Sequence, residues 1–222
     1  MNLYLKLNIL SVLFPLLFSF HPRIAFYREW PYVLPAIGVT AIVYLVWDIV
    51  VTAQGHWSFN HTYAGKGVLK DLPLGEVLFF FCIPYACLFV YWIFRLFLSE
   101  KLLPLPIVAF WILAGVFLLG GLLNLKRGYT RLAFLSCAAF LVLALTVKPS
   151  LLQSSHTWEY FIFSFIAFLI VNGILTGLPV VLYNPNAILG FRVITIPVED
   201  FFYNFSFLGF NLLLYRWLAE GV

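Results

Sequence analysis

Charged residues are scarce in this chain of 222 residues. Only 10% of the residues are Asp, Glu, Lys or Arg, whereas 64% are hydrophobic. A soluble domain of ordinary composition carries about a quarter charged residues, and the mean hydropathy of +1.01 is that of a strongly apolar chain. The scarcity of charge excludes a soluble globular protein, and the modest net charge of +4 gives no indication of a nucleic-acid partner.

Cysteine pairs and nucleotide-binding motifs are also lacking. Cys82, Cys87 and Cys137 fall inside apolar runs, form no Cys-x-x-Cys pair and have no histidine at ligand spacing. We therefore expect them to be packing residues and predict no metal site. No Gly-x-Gly-x-x-Gly fingerprint occurs, so the sequence predicts no dinucleotide cofactor, and we expect no cofactor at all.

Long apolar runs are what the chain has instead. About 20 apolar residues are needed to cross a hydrocarbon core. We identify seven such runs, at about 2–20, 32–53, 76–98, 104–124, 131–147, 158–181 and 198–218. The first run contains Pro15 and has no small-residue cleavage site, so we expect a retained helix and not a signal peptide. The sequence thus predicts an all-α, multi-pass integral membrane protein of the cell membrane.

Basic residues are divided almost equally between the two ends of the predicted spans. With seven spans, seven Lys and Arg residues lie on the N-terminal side and six on the other. This count does not decide the orientation by the positive-inside rule. An N-terminus on the inside is our working expectation, with membrane lipid as the partner of the basic side chains.

An internal repeat with an offset of 124 residues is the most informative pattern. Leu72-Pro73-Leu74-Gly75-Glu76 aligns with Ile196-Pro197-Val198-Glu199-Asp200, and the same offset pairs Asp48 with Asn172. Each copy places a proline and a carboxylate at the start of an apolar, Phe-rich run. The first three runs therefore correspond to the last three, and the fourth run has no counterpart.

The unmatched fourth run determines how the copies are related. Two three-helix units joined directly would point in opposite directions, whereas one extra span makes them parallel, with an axis along the membrane normal. We predict a single membrane domain, 1–222, with repeat 1 at about 1–98, a connector helix at about 104–124 and repeat 2 at about 131–218.

Four acidic residues are expected to meet at one face of this arrangement. The segments 54–75 and 182–197 both emerge on the N-terminal side, where Glu76, Glu199 and Asp200 begin spans and Asp48 ends one. A charged Asp at a bilayer centre costs about 3 kcal/mol on insertion scales, so such groups usually face a cavity. We predict Glu199, Asp200, Glu76 and Asp48 as catalytic residues. Helix capping by Glu76 and Glu199 and a structural hydrogen bond from Asp48 stay open as alternatives.

Aromatic and amide side chains surround these acids in the sequence. Apolar surroundings and like charges raise a carboxyl pKa and favour a proton donor, and aromatic faces stabilise a developing cation. The two connecting segments are predicted to cover the acids as lids, or else to anchor at the membrane interface. The predicted substrate-binding residues are Trp47, Trp57, Phe59, Asn60, Phe79, Phe80, Asn172, Tyr183, Asn184, Phe201, Phe202 and Tyr203.

The doubled Pro-x-Glu-Glu/Asp motif before a Phe-rich helix, with Trp47-Asp48 in the second run, resembles the membrane lycopene cyclase domain family. The resemblance covers about 1–218 and is to the fused form of members that also occur as pairs of three-helix subunits. It implies cyclisation of lycopene to β-carotene, through γ-carotene where one end closes first. It also implies a carotenoid substrate and contact with other enzymes of carotenoid biosynthesis.

The resemblance also implies a mechanism and exposes one departure. A protonated Glu199 or Glu76 would protonate a terminal double bond, and Asp200 or Asp48 would act as the base or as a supporting partner. Gly75 stands where the motif has its first Glu. Either the second half alone carries the chemistry, or the first Glu is dispensable; of the two copies, we expect the second to supply the proton.

Other functions remain as alternatives. A related cyclase or hydratase of another carotenoid would use a similar scaffold. A small sugar transporter would also have a three-plus-one-plus-three repeat, but with matched midplane Asn or Trp pairs in place of clustered carboxylates. A retinal protein needs a lysine in its last span, and 198–218 contains none. A non-catalytic scaffold would leave the repeated acids unexplained.

Overall fold

Helices make up most of the computed structural model, which describes residues 2–221. The helices are α1 (Leu3–Phe18), α2 (Trp30–Ala53), α3 (His61–Ala64), α4 (Leu74–Phe97), α5 (Ile107–Leu123), α6 (Gly128–Val147), α7 (Ser155–Gly177) and α8 (Val198–Glu220). Each of the seven predicted apolar runs corresponds to one long helix, with ends that differ by a few residues. Short 3-10 turns at Phe26–Glu29 and Pro149–Gln153 precede α2 and α7.

Four helical segments are long and apolar enough to cross a membrane. They are Phe26–Ala53, which includes α2, and the helices α4, α6 and α7. The helices α1 and α5 are apolar but shorter, with 16 and 17 residues, and α8 carries charged residues in its first and last turns. The apolar helices indicate that the protein is associated with a membrane.

Short strands of two or three residues join the helices of this mostly helical fold. Antiparallel pairs form between β1 (Trp57–Phe59) and β4 (Val181–Tyr183), between β2 (Gly67–Leu69) and β3 (Leu72–Pro73), and between β5 (Arg192–Val193) and β6 (Ile196–Pro197). The reason is that backbone groups outside the helices still need hydrogen-bond partners where water is scarce. Two of these ribbons end at Pro73 and Pro197, directly before α4 and α8.

The helices pack in recurring pairs. α1 packs on α4 and α6 packs on α8, while α2 packs on α8 and α4 packs on α7 across the molecule. The core between them is aromatic and includes the buried side chains of Tyr44, Phe80 and Phe207. α5 packs mainly on α6, at the edge of the bundle. α4 and α8, whose first turns carry the repeated acids, therefore lie at its centre.

Two glycines allow the α1–α4 and α6–α8 pairs to approach closely. A Cβ at Gly75 would lie 2.6 Å from Cγ of Tyr4, and a Cβ at Gly209 would lie 2.6 Å from Cζ of Phe140. In each pair, an aromatic ring occupies the space that a side chain would need. The departure at Gly75 from the motif therefore has a packing cause, because the Tyr4 ring lies there.

Candidate active site

A cavity of about 60 Å³ lies where the acidic side chains meet, bounded on one side by the β1–β4 ribbon. Glu76 from α4 and Asp200 from α8 both line it. Most of the remaining wall is aromatic. It comprises Tyr4, Trp57, Phe59, Phe79, Tyr129, Phe168, Tyr183, Tyr203 and Phe207, together with Asn172, Leu175, Val181 and Asn204.

Asp200 accepts hydrogen bonds from three side chains. The hydroxyl of Tyr129 donates to Oδ1 over 2.6 Å, and Nδ2 of Asn172 and the hydroxyl of Tyr183 each donate to Oδ2 over 2.7 Å. Burial, followed by the nearby Asp200 carboxylate, raises the pKa of Tyr183 well above its usual range, so this phenol stays a donor. Three donors compensate a buried negative charge, so the Asp200 environment is that of a carboxylate.

Glu76 and Asp48 form a pair with fewer donors. Oε2 of Glu76 accepts a hydrogen bond of 2.6 Å from the Tyr4 hydroxyl. Oδ1 of Asp48 accepts from Nε1 of Trp57 over 2.9 Å and from the Thr52 hydroxyl over 3.2 Å. Oδ2 of Asp48 is buried without a partner in the described part of the chain, and the two carboxyl groups are close enough to interact directly. Two adjacent buried carboxyl groups cannot both be ionised at low cost, which favours a retained proton.

Glu199 lies apart from this cavity. Its Oε1 accepts hydrogen bonds of 2.6 Å from the Thr130 hydroxyl and from the backbone N–H of Leu189. The side chain is fully buried and is not part of the cavity wall. The acid that we expected to supply the proton therefore links α6, α8 and the segment that leads into β5, and does not face the space for a substrate.

Half of the predicted binding residues line the cavity, namely Trp57, Phe59, Phe79, Asn172, Tyr183 and Tyr203. The structure places the other half elsewhere. Trp47 stacks on Tyr44 and Phe80 packs on Phe207 in the core, Phe201 packs on Phe168, Phe202 packs on Phe117 and Phe134, Asn60 caps α3, and Asn184 donates to the Gly55 carbonyl.

Helical periodicity explains this division. Residues 200, 203, 204 and 207 of α8 share one face because residues three and four apart are neighbours on a helix. Phe201 and Phe202, which directly follow the acid in sequence, lie on other faces. Adjacency to Asp200 in the sequence therefore does not bring Phe201 and Phe202 to the cavity wall.

The sequence analysis missed two tyrosines that orient the acids. Tyr4 in the first turn of α1 donates to Glu76, and Tyr129 in the first turn of α6 donates to Asp200. Each tyrosine is the second residue of its helix, although the offset of 124 residues pairs Tyr4 with Gly128, one position before Tyr129. A tyrosine at the start of the first helix of both halves was the available signal.

The comparisons with known proteins agree with the resemblance found in the sequence. A family model described as lycopene cyclase matches residues 1–94 and 126–218. The unmatched stretch between them contains α5. No curated protein and no solved structure gives a significant match to the chain.

Proposed function

Because the chain belongs to the lycopene cyclase family, we propose that it converts the acyclic ends of lycopene to β-ionone rings. Family membership implies a cyclisation step in carotenoid biosynthesis, and the reaction requires no net oxidation or reduction. The observation that carries the proposal is a single cavity lined by Glu76 and Asp200, whose carboxyl groups have different environments.

Glu76 is the proton donor in this proposal. It lines the cavity, whereas its neighbour Asp48 does not, and Oδ2 of Asp48 is buried without a hydrogen-bond partner among residues 2–221. A proton shared by the pair relieves the repulsion between them, and an apolar, aromatic cavity makes its transfer to a hydrocarbon less unfavourable. Tyr4 holds the Glu76 carboxyl in position through its hydrogen bond.

Asp200 is the base. Its three donors support the ionised form, and it shares the cavity with Glu76. Donation of the Glu76 proton to the terminal double bond makes a tertiary cation. The internal double bond attacks this cation and closes a six-membered ring, and Asp200 then removes a ring proton to leave the β-ionone end.

The aromatic wall stabilises the cationic intermediates. Phe79, Tyr203 and Phe207 line the cavity beside the acids, and aromatic faces attract a cation with about 0.5–2 kcal/mol each. The same rings exclude water, which would otherwise capture the cation as an alcohol. Asp200 must return its proton to the Glu76–Asp48 pair before the next turnover.

We also propose that the bundle is a multi-pass membrane domain of two parallel three-helix repeats joined by α5. The register of the β1–β4 ribbon supports this arrangement. Trp57 lies opposite Tyr183 and Phe59 lies opposite Val181, with Ser58 and Leu182 at the centre. The offset of 124 residues maps Trp57 onto Val181 and Phe59 onto Tyr183, so it converts one pair into the other. A two-fold axis through the middle of the ribbon would require this.

Expression in lycopene-producing cells that have no cyclase tests the proposed function. We expect β-carotene, or γ-carotene where one end closes, in the extracted pigment. Unchanged lycopene, with the protein present in the membrane, would refute the proposal. A hydroxylated acyclic product would instead indicate a hydratase, and a ring with a differently placed double bond would indicate a related cyclase.

A further inference from the structure

A second, larger space adjoins the catalytic cavity. This cleft has a volume of about 420 Å³ and lies between α1, α4, α7 and α8. Its walls are mostly apolar side chains, such as Phe14, Ile83, Ala86, Ala167 and Val171. The volume is within the range of about 300–1,000 Å³ that is usual for ligand pockets.

The cleft leads directly to the acids. Phe79, Phe168, Asn172 and Asn204 line both the cleft and the catalytic cavity, so the two spaces share a wall. Phe79 and Val90 on α4 mark the ends of the cleft, about 16 Å apart at 1.5 Å per residue. This elongated, apolar space therefore ends where Glu76 and Asp200 lie.

The outer side of the cleft opens between the helices. Leu10 and Phe14 of α1 are 62% and 61% exposed, and Phe163 of α7 on the other side is also exposed. Exposed apolar side chains on apolar helices are expected to face lipid tails. The mouth of the cleft therefore faces the bilayer, and a hydrocarbon can reach it without entering water.

The seam between α2, α6 and α8, which the offset of 124 residues relates to this cleft, is closed. The residues 124 positions away from Ile83, Ala86 and Val171 are Phe207, Phe210 and Trp47. Their rings pack around Tyr44, with ring centroids 4.8 Å apart for Phe207 and 5.2 Å apart for Trp47. Larger side chains thus fill the seam between α2, α6 and α8, so of these two equivalent seams the one between α1, α4 and α7 is open.

We propose that the cleft between α1, α4 and α7 holds the linear part of the polyene, and that the substrate enters from the bilayer on this side alone. The inference rests on the proposed function and deepens it. Lycopene has two identical ends, but one cleft and one cavity accept one end at a time. A monocyclic product must therefore leave the cleft and re-enter with its other end before the second ring forms.

Filling the cleft tests the binding site. Ala86→Phe imports the residue of the closed seam, and Ala167→Phe fills the facing wall; Val43→Phe is the matched control, since Val43 is the counterpart of Ala167 and is 58% exposed. The purified variants are assayed in lipid nanodiscs with lycopene and with a much shorter acyclic isoprenoid, only long enough to carry the same end and too short to reach Ala86. We expect the cleft variants to lose lycopene turnover by about tenfold or more, because overpacking a bounded space is costly, and to retain turnover of the short substrate. Val43→Phe retains both.

The outcomes separate the cleft from the proposed function. Wild-type protein that cyclises neither substrate contradicts the proposed function. If the wild-type protein is active and both cleft variants keep full lycopene turnover, the proposed role of the cleft is contradicted and the proposed function is not. Equal losses on the two substrates also count against the cleft, because they indicate damage to the chemistry or the fold.

The time course of the reaction provides an independent measurement. With lycopene in large excess over enzyme, we expect the monocyclic product to accumulate first and the bicyclic product to appear after a lag. The lag shortens when monocyclic product is added at the start. Formation of bicyclic product from the first turnovers, without free monocyclic product, would contradict entry of one end at a time.

Discussion

At the scale of single residues, hydrogen bonding distinguishes the four acids that the sequence predicts to be catalytic. Asp200 accepts from three donors, Glu76 and Asp48 lie side by side, and Glu199 is tied to Thr130 and Leu189 away from the cavity. Only Glu76 and Asp200 line the space that a substrate can enter. The roles proposed for these acids follow from this difference in environment and not from their positions in the sequence.

Removing the carboxyl function should separate these roles. We expect Glu76→Gln and Asp200→Asn each to lower cyclisation by about 10²–10⁴-fold, the usual contribution of general acid–base catalysis. Glu199→Gln keeps an oxygen that accepts from Thr130 and Leu189, so it should retain most of the activity. Initial rates with lycopene, normalised to protein in the membrane, provide the measurement. A loss in Glu199→Gln that equals the loss in Asp200→Asn would show that the second motif acid takes part in the chemistry.

Gly75 is a second position at which a single residue has a large effect, here on the packing of α1 against α4. Gly75→Ala should destabilise the protein by about 1–3 kcal/mol, the usual cost of overpacking, because the new Cβ would lie 2.6 Å from the Tyr4 ring. Gly75→Glu, which restores the full motif, should be worse and should displace Tyr4 from Glu76. Gly173→Ala on α7 is the control, since nothing lies within 4 Å of its Cβ position. Thermal unfolding in detergent measures both, and a Gly75→Ala protein as stable as Gly173→Ala would contradict the packing argument.

At the scale of elements, short ribbons position the long helices. The β2–β3 and β5–β6 hairpins end at the prolines that directly precede α4 and α8, and the β1–β4 ribbon covers the cavity. Proline suits these positions because the start of a helix needs no N–H from it. The turns of the hairpins need residues with positive φ, namely Lys70 and Asp71 in one and Ile194 in the other.

Ile194 is poorly suited to its turn. It has φ +60° and is 89% exposed, so it combines a strained backbone for a β-branched residue with little packing. Ile194→Asn should raise stability by about 1 kcal/mol, because asparagine tolerates the left-handed region. Val193→Asn, next to it in an extended strand, should not. Equal unfolding temperatures for the two variants would argue against strain at Ile194.

The segment before β1 adds a pH dependence. Burial, followed by the charge of Arg131, lowers the pKa of His56 below its ordinary value of 6.5, and the His56 ring packs against Gly128 at the start of α6. Since the folded protein binds this proton less well than the unfolded chain, stability falls as the pH drops below about 6.5. His56→Gln should weaken that dependence. Unfolding temperatures of both proteins between about pH 5 and 8 test this, and identical slopes would exclude His56 as the cause.

At the scale of the whole molecule, the two halves are joined by contacts that do not need chain continuity. The β1–β4 ribbon, the α2–α8 pair and the α4–α7 pair all cross between them. At the end of the bundle away from the cavity, Glu220 of α8 pairs with Arg95 of α4 over 3.2 Å and with Lys148 over 3.3 Å. The loop between α4 and α5 is therefore not required to hold the halves together.

A cut in that loop should be tolerated. We expect co-expression of residues 1–98 and 99–222 as separate chains to restore cyclisation. The second chain keeps α5 and the segment Lys101–Leu103, whose backbone is hydrogen-bonded to Gln153 and Ser155 of the same chain. Each chain expressed alone should be inactive, since Glu76 and Asp200 lie on different chains. Pigment analysis of the three strains provides the measurement. Activity of one chain alone would contradict a site built from both halves.

Much of this protein follows from its sequence. The seven long helices, the apolar character and the doubled Pro-acid motif depend on local spacing and hydropathy, and the structure has a helix for every apolar run. The family is confirmed by the match to residues 1–94 and 126–218. Glu199, Asp200, Glu76 and Asp48 were singled out from the sequence because a carboxylate is conspicuous in a chain with so little charge, and their catalytic role stays a prediction.

Only the tertiary structure decided which way the side chains face. Whether Glu199 or Asp200 reaches the cavity depends on the rotation of α8 about its axis, and the pairing of Tyr4 and Tyr129 with the acids depends on how α1 and α6 dock. The open cleft on one side and the filled seam on the other depend on the packing of side chains far apart in the chain. These features arise from contacts between helices, whereas the pattern along one helix is a property of its own sequence.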